Sequence, residues 1–395
     1  MQYSTIIINT GKERSILRRH PWVFSGAIKA IIGPVKEGDI VEVRAAKDYL
    51  LGYGHFQNGS IAVRLLTFLE EPFDENLYFN KIELAWKLRL KLGLANSKDT
   101  NIFRLVHGEG DFLPGLIIDF YAGHAIIQCH SIGMYKAIDS IKKAIISVLK
   151  SELKTIYLKS ADTLPKDYSD YEGDRFIYNE IETPIIALEN LHQFSINWIT
   201  GQKTGFFIDQ RENRALLAKY AKNKKVLNTF CYSGGFSVYA LAAGAAMVHS
   251  NDSSKKAIEL TEQNIGIGKF DSNKHQAFVA DTMDFIKTLT EDYDIIILDP
   301  PAFAKHRNAK HNAVQGYKRL NEHAIRQIKP GGIIFTFSCS QVIDKALFTN
   351  TVIAAGISAG RNVRILEQLH QPADHPINAN HPEGEYLKGL VIEVL

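Results

Sequence analysis

Residues 295–301 read Ile-Ile-Ile-Leu-Asp-Pro-Pro, and residues 333–340 read Ile-Ile-Phe-Thr-Phe-Ser-Cys-Ser. Each stretch is a short apolar run that ends in polar residues, a pattern typical of a strand buried in a parallel sheet. Ligands of open α/β sheets bind at the carboxyl ends of the strands. The two stretches therefore predict that Asp299 and Cys339 lie along one edge of the same sheet.

The sequence around these two stretches alternates between strand and helix patterns. Apolar runs predict further strands at 225–230, 247–251, 276–280, 363–368 and 387–394. Helical patterns lie between them, at 236–243, 254–265, 283–289, 315–328 and 344–359. Such alternation favours a doubly wound α/β sheet, which we place in residues 191–395.

The chain before residue 191 has a different pattern. Residues 1–72 contain alternating strands and an Asn58-Gly59 turn, which predict a small β domain. Residues 73–190 mix a helix from Asn80 to Leu92, a second helix around 135–149 and two strands near 116–129. We interpret residues 104–115 as a polar, glycine-rich loop, and the whole middle segment as an α+β domain.

Composition limits the functional classes. The 395 residues carry a net charge of +3 and 45% apolar residues, as expected for a globular protein with a mildly basic surface. The three cysteines are far apart, which excludes a disulfide framework or a standard zinc spacing and favours a cytoplasmic setting. No apolar run approaches the ~20 residues of a membrane span, so we expect no membrane partner.

Three consecutive predicted strands end in residues suited to a nucleoside. The first ends in a turn with Ser233-Gly234-Gly235, the second at Asp252 and the third at Asp281-Thr282. Glycines let the backbone approach a ligand, and a carboxylate after the second strand suits ribose hydroxyls. Each feature alone is equally compatible with a turn or a helix cap. Together they favour a nucleoside pocket over a dinucleotide or triphosphate site, since neither G-x-G-x-x-G nor a Walker lysine is present.

These residues resemble a class I S-adenosylmethionine-dependent methyltransferase, and longer motifs narrow the resemblance. The chain resembles the bacterial 23S rRNA large-subunit methyltransferase I family over nearly its whole length. The motifs that carry this resemblance are residues 20–25, 115–119, 201–211, 336–340, 373–376 and 382–389. The resemblance implies an N-terminal PUA RNA-binding domain, a small middle domain and a C-terminal Rossmann-like domain with a seven-stranded sheet.

The resemblance also implies roles for individual residues around S-adenosyl-L-methionine. Residues on the cofactor side ahead of the sheet are Lys203, Thr204, Phe206, Asp209 and Gln210. Residues beneath the methionine part of the cofactor are Phe230, Ser233, Gly234 and Gly235. Asp252 is expected to hold the ribose, Asp281 and Thr282 to flank the adenine, and Asp299 to face both the methyl group and the base.

The chemistry of cytosine C5 explains why a thiol is present. C5 is a poor nucleophile until a thiolate adds to C6, and covalent catalysis of this kind splits one difficult step into easier ones. We expect Cys339 to be the nucleophile and Asp299 to support the adduct at N3. A helix following Cys339 is expected to lower its pKa through its N-terminal N–H groups. An inert buried cysteine is the alternative, and the residues do not identify the base that removes the C5 proton. Cys231 is assigned a packing role.

Two other functions are compatible with the same sequence. An rRNA guanine or adenine N-methyltransferase shares the Asp-Pro-Pro pattern, but an amine acceptor needs no cysteine nucleophile. A catalytically idle RNA-binding factor would keep the fold without the cofactor.

The expected partner is 23S ribosomal RNA, either free or within a large-subunit particle or precursor, and a homodimer is compatible with the sequence. Residues 303–320 contain several cations and no acid, so we expect phosphate contacts from Lys305, Arg307 and Lys310, with a solvated loop as the alternative. Arg18, Arg19 and Trp22 combine charge with a stacking surface. Three histidines at 370, 375 and 381 fit no standard metal spacing, so we predict no metal site.

Overall fold

The computed structural model describes residues 3–69, 71, 73–290, 292–304 and 309–395. The chain forms two compact units. The first contains Met1–Ala187, Ile196–Phe206 and Ala373–Gly384, and the second contains Leu188–Ser195, Phe207–Pro372 and Glu385–Leu395. The domain boundaries at residues 72/73 and 190/191 stay predictions. Within the described ranges, no helix is both long and apolar enough to cross a membrane.

The first unit begins with a six-stranded sheet. Its elements are β1 (Ser4–Ile8), α1 (Arg14–Leu17), β2 (Trp22–Phe24), β3 (Ile28–Ile32), β4 (Ile40–Ala45), β5 (Leu50–Phe56) and β6 (Ile61–Leu65). The strand order is β2-β6-β5-β4-β1-β3, in which β1 and β4 run parallel. Alternate residues of β4 point inward, and Val41 and Val43 are fully buried in the core of this sheet.

A second, five-stranded sheet completes most of the first unit. Its elements are α2 (Leu77–Lys91), β7 (Ile102–His107), β8 (Leu116–Tyr121), β9 (His124–Cys129), α3 (Ile132–Lys136), α4 (Ile138–Leu149), β10 (Thr155–Leu158) and β11 (Arg175–Tyr178). The order is β11-β10-β9-β8-β7. The prediction of a loop over 104–115 is wrong at its start, because residues 104–107 belong to β7, which pairs with β8, and Leu105 and Val106 are buried. The predicted helix at 135–149 is two helices that meet at Ala137.

The second unit is built on a seven-stranded sheet. The elements from the end of the first unit onward are β12 (Ile185–Glu189), β13 (His192–Ile196), α5 (Arg211–Ala221), β14 (Lys225–Thr229), α6 (Gly235–Ala242), β15 (Met247–Asp252), α7 (Lys255–Ile267), β16 (His275–Val279), α8 (Thr282–Lys287), β17 (Ile295–Leu298), α9 (Lys310–Gln327), β18 (Gly332–Ser338), α10 (Lys345–Ala359), β19 (Val363–His370) and β20 (Lys388–Val394). β12 and β13 form a separate two-stranded sheet.

The order of the large sheet is β16-β15-β14-β17-β18-β20-β19. The first five strands in this order are parallel, whereas β20 runs antiparallel to both of its neighbours. All four residues of β17 are buried, as the apolar run at 295–298 predicts for a central parallel strand. The prediction of a doubly wound, seven-stranded α/β sheet is confirmed. Its carboxyl edge collects the residues that follow β14, β15, β16, β17 and β18.

A buried ion pair connects α5 to β12. The guanidinium of Arg214 donates to both carboxylate oxygens of Glu189, at 2.8 and 2.7 Å. The Tyr239 hydroxyl donates to the same carboxylate at 3.0 Å. Because both ions are buried, their mutual hydrogen bonds are needed to compensate for the loss of hydration.

Candidate active site

Asp299 and Cys339 follow adjacent parallel strands at the carboxyl edge of the large sheet. Asp299 comes directly after β17, Cys339 comes directly after β18, and the two strands pair in register up to Leu298 and Thr336. Both residues are partly buried. The edge therefore carries a carboxyl group and a thiol side by side, as the sequence pattern predicts.

The environment of Asp299 favours its protonated form. Burial of the carboxyl group and the nearby charge of Asp209 raise the pKa of Asp299 to about 7. A hydrogen bond from Gln210 and the charge of Arg214 act in the opposite direction and offset only part of this rise. Asp299 is thus able to hold a proton near neutral pH and to donate a hydrogen bond.

The prediction that a helix lowers the pKa of Cys339 is wrong. Burial, followed by the charges of Asp299 and Asp209, raises the pKa of the Cys339 thiol to about 11. The next helix, α10, begins only at Lys345, and its N-cap Asp344 already accepts the N–H of Leu347 at 2.8 Å. The thiol is therefore protonated at neutral pH and needs a proton acceptor before it can attack.

Lys388 is a functional candidate that the sequence analysis missed. Its buried ammonium donates to the carbonyl oxygens of Ser340 at 2.8 Å and Tyr386 at 2.6 Å. Burial lowers the pKa of Lys388 to about 8, against the charges of Cys339, Glu385 and Asp344. Conversely, its positive charge lowers the pKa of the Cys339 thiol. Only the antiparallel pairing of β20 with β18, which places Lys388 opposite Ser338, brings this lysine to the site.

Asp209 and Gln210 lie in the second unit just before α5. Tyr386 donates its hydroxyl to Asp209 Oδ2 at 2.7 Å, and Gln210 Oε1 accepts from Asn213 at 2.6 Å. Gln210 also hydrogen-bonds to Asp299. The structure therefore joins these two predicted residues to the same edge as Asp299.

The turn after β14 has a strained backbone. Phe230, Tyr232 and Gly234 have φ angles of 53°, 45° and 71°, and Gly234 is the N-cap of α6. A Cβ on Gly234 would lie 2.7 Å from Thr261 Cγ2, so only glycine fits there. Left-handed residues other than glycine concentrate at ligand sites, where the surroundings hold them in place.

The carboxylate of Asp252 holds this turn to the end of β15. It accepts the N–H of Tyr232 at 3.1 Å on Oδ2 and the N–H of Ser254 at 2.9 Å on Oδ1. Ser233 is buried in the same turn, and its carbonyl accepts from Asn264 at 2.8 Å. A fixed carboxylate beside a glycine turn can accept hydrogen bonds from ribose hydroxyls, so this arrangement fits a nucleoside.

Asp281 and Thr282 follow β16 at the start of α8. Asp281 is exposed and caps the helix by accepting the N–H of Asp284 at 3.1 Å. Thr282 is buried and donates its hydroxyl to Asn251 Oδ1 at 2.8 Å. Asp281 is therefore a helix cap at the carboxyl edge of the sheet.

Three predicted cofactor residues belong to the first unit. Lys203 is exposed and Phe206 is buried. Thr204 is buried, and its hydroxyl contacts Asp119 Oδ2 at 2.6 Å and the Tyr121 hydroxyl at 2.8 Å. These residues fall within the predicted catalytic domain, residues 191–395. In the structure, however, segment Ile196–Phe206 folds with the first unit.

The predicted RNA-binding residues lie on two separate segments. Arg18 is exposed, Arg19 pairs with Glu71 at 3.1 Å, and Trp22 donates its indole N–H to Glu109 at 2.8 Å. Lys310 is exposed at the first residue of α9. Lys305 and Arg307 lie outside the described residues.

Two family models match the chain. Residues 6–68 match a PUA-like domain, and residues 167–390 match an S-adenosylmethionine-dependent methyltransferase. The first match corresponds to the six-stranded sheet, and the second includes six strands of the seven-stranded sheet and the first residues of β20.

Curated proteins similar to the chain include ribosomal RNA large subunit methyltransferase I from Pseudoalteromonas atlantica, 38% identical over 99% of this chain and 100% of the relative. The protein of the same name from Aeromonas hydrophila is 38% identical over 98% of this chain and 99% of the relative. Among solved structures, a putative S-adenosylmethionine-dependent methyltransferase from Streptococcus mutans has a TM-score of 0.84 at 22% identity, covering 99% of this chain and 100% of its own. SMU.776, a putative methyltransferase complexed with SAH, has a TM-score of 0.86 at 22% identity, with the same coverage.

Proposed function

The chain belongs to the ribosomal RNA large subunit methyltransferase I family, and we propose that it methylates C5 of a cytosine in 23S ribosomal RNA through a covalent adduct of Cys339. Family membership establishes the coarser activity: the protein is an S-adenosylmethionine-dependent methyltransferase of ribosomal RNA. The target atom and the roles of individual residues are the proposed part.

The second unit supplies the residues that would hold S-adenosylmethionine. Asp252 would accept hydrogen bonds from the ribose, because its carboxylate is fixed at the end of β15. Phe230, Ser233, Gly234 and Gly235 would lie against the methionine part. Asp281 and Thr282 would flank the adenine. When bound, the cofactor supplies an electrophilic methyl group.

The observation that carries the proposal is a thiol beside a carboxyl group whose pKa is raised to about 7, so that it is partly protonated at neutral pH. Cys339 and Asp299 follow adjacent strands. Burial is the largest cause of the raised pKa of each group, and the charge of Asp299 also raises the pKa of the Cys339 thiol. An amine acceptor would need neither a thiol nor a proton donor at this position. Covalent activation of a pyrimidine ring needs both.

The first step of the proposed mechanism requires deprotonation of the thiol. Lys388, with a pKa lowered by burial to about 8, exists partly as the neutral amine near that pH and can take the Cys339 proton. The resulting ammonium then stabilises the thiolate by charge. Its two carbonyl partners hold it in place during the transfer.

The addition step then uses Asp299. A bond forms between Cys339 Sγ and C6, the electron pair of the C5–C6 double bond moves through C5–C4 toward N3, and protonated Asp299 supplies a proton or hydrogen bond at N3. C5 thereby becomes nucleophilic and takes the methyl group as the methyl–sulfur bond breaks. Loss of the C5 proton to a base then restores the C5–C6 double bond and expels the thiolate from C6. The thiolate takes back the proton held by Lys388, and N3 returns its proton to Asp299, so the enzyme is regenerated.

The test is the identity of the methylated nucleoside. Ribosomal RNA lacking the modification is incubated with the protein and isotopically labelled S-adenosylmethionine, digested to nucleosides and analysed by mass spectrometry. The label is expected in 5-methylcytidine. Cys231→Ala, a matched control at a cysteine with a packing role, should retain this activity. Label in an N-methylated guanosine or adenosine would overturn the proposal in favour of amine methylation.

A further inference from the structure

The first unit brings together three possible metal ligands far from one another in sequence. His20 Nε2 lies 3.6 Å and His381 Nε2 lies 3.8 Å from the same carboxylate oxygen, Glu383 Oε2. The three donor atoms all lie within 4.8 Å of one another. His20 precedes β2, whereas the other two residues belong to segment Ala373–Gly384.

His381 has an unusual environment for a polar side chain. It is only 3% exposed, and neither ring nitrogen has a hydrogen-bond partner among the described residues. Its ring packs against Trp22, with ring centroids 4.3 Å apart. Leaving a buried polar group unsatisfied costs roughly 1–3 kcal/mol, so this imidazole indicates a missing partner.

The contacts of His20 are compatible with metal ligation. Its Nδ1 lies 3.2 Å from the backbone nitrogen of Trp22 and 3.4 Å from the carbonyl oxygen of the same residue. In one tautomer Nδ1 accepts the N–H. In the other, Nδ1–H donates to the carbonyl, and Nε2 presents its lone pair toward Glu383. A ligating histidine commonly donates its second ring N–H to a backbone carbonyl in this way.

We propose that His20, His381 and Glu383 bind a divalent cation of the zinc type. Two imidazoles and one carboxylate form a ligand set typical of Zn²⁺, with bond lengths of about 2.0–2.2 Å. Neighbouring ligands of a tetrahedral ion at those lengths are roughly 3.4 Å apart, so the observed separations need only small side-chain movements. The carboxylate side chain is 48% exposed, which gives the ion access from solvent and leaves room for a water ligand.

Such an ion would link segment Ala373–Gly384 to the start of β2, beside the Trp22 ring. The same segment is held to the first unit elsewhere, since Asp374 accepts the N–H of Arg104 at 2.9 Å. The metal would therefore add a cross-link at the far end of a segment that is already attached. We expect its main effect on the stability of the first unit.

The experiment measures zinc binding by calorimetry and the melting temperature of the full-length protein after treatment with a chelator. A Cys339→Ala background removes the partly exposed thiol as a competing ligand. One equivalent of Zn²⁺ is expected to bind and to raise the melting temperature. Glu383→Gln and His381→Ala should each weaken binding at least tenfold.

The matched control is His311→Ala, which removes an exposed histidine of α9 outside the cluster and should leave zinc affinity unchanged. Glu383→Gln alters a half-exposed side chain, so it keeps the test valid if His381→Ala fails to fold. The proposal is overturned if the protein binds no zinc with one-to-one stoichiometry. Equal affinity in Glu383→Gln and the control would overturn it as well.

Discussion

Replacing Asp299 by Asn should stabilise the protein increasingly as the pH rises. The folded-state pKa of Asp299 is about 7, against an ordinary value of 3.8. The folded state therefore binds this proton more tightly than the unfolded state, and stability is lost as the pH rises between these two values. One pKa unit corresponds to about 1.36 kcal/mol, so the wild-type protein should lose at most about 3 kcal/mol between pH 5 and pH 8.5.

The assay is urea unfolding of wild type and Asp299→Asn at both pH values. The variant has no ionisable group at this position, so its stability relative to wild type should rise by up to about 3 kcal/mol at the higher pH. Its activity should fall, because an amide cannot deliver a proton to N3. A relative stability that is the same at pH 5 and pH 8.5 would refute the raised pKa and the role built on it.

Asp294→Asn is a matched control just before β17. Burial tends to raise the pKa of Asp294, but the backbone N–H of Lys225 and the ammonium of Lys329 outweigh it and lower the pKa overall. The stabilisation from this carboxylate is present above its unfolded pKa of 3.8 and is lost as the pH falls through the folded value. Asp294→Asn should therefore be destabilised by the same amount at pH 5 and pH 8.5.

Three further predictions concern the cofactor, the buried ion pair and RNA. Asp252→Asn should weaken S-adenosylmethionine binding about ten- to a hundredfold by calorimetry, because a charge-assisted hydrogen bond is worth roughly 1.5–3 kcal/mol; unchanged affinity would exclude the ribose role. Glu189→Gln should lower the free energy of unfolding by about 3–5 kcal/mol, since the buried guanidinium of Arg214 would lose its countercharge; a loss below about 1 kcal/mol would contradict this. Lys310→Ala should reduce the slope of log RNA affinity against log salt concentration by about 0.7 without changing cofactor affinity. An unaltered slope would show that Lys310 does not contact a phosphate.

The positions of the strand ends could be predicted from the sequence. Apolar runs followed by Asp252, Asp281, Asp299 or Cys339 define the carboxyl edge, because parallel strands align their ends when they pair in register. Local sequence is sufficient here, since each strand and the residue after it are continuous in the chain. The predicted starts of the helices were less accurate. For example, α9 begins at Lys310 rather than at residue 315, because Ala313 adds a buried position to its first turn.

Features that depend on distant contacts could not be predicted. Lys388 reaches Cys339 only because β20 inserts antiparallel beside β18, and a lysine in a strand pattern carries no local signal of this. The raised pKa of Cys339 depends on Asp209 and Asp299, which come from other parts of the chain.

The histidine cluster shows the same limit. In the sequence His381 lies near His370 and His375, whereas the fold places it beside His20. Likewise, segment Ala373–Gly384 folds with the first unit although its sequence lies between strands of the second. Local spacing therefore gave no sign of the three-residue cluster.

The central claim is that Cys339 forms a covalent bond to C6 of the target cytosine. RNA that carries 5-fluorocytosine at the target is incubated with the protein and S-adenosylmethionine, then separated by denaturing gel electrophoresis. Fluorine cannot leave C5 as a proton does, so the account predicts a stable species containing protein, RNA and the transferred methyl group. Cys339→Ala should give neither this species nor turnover, whereas Cys231→Ala should give both. A Cys339→Ala protein that still methylates its RNA would contradict the account.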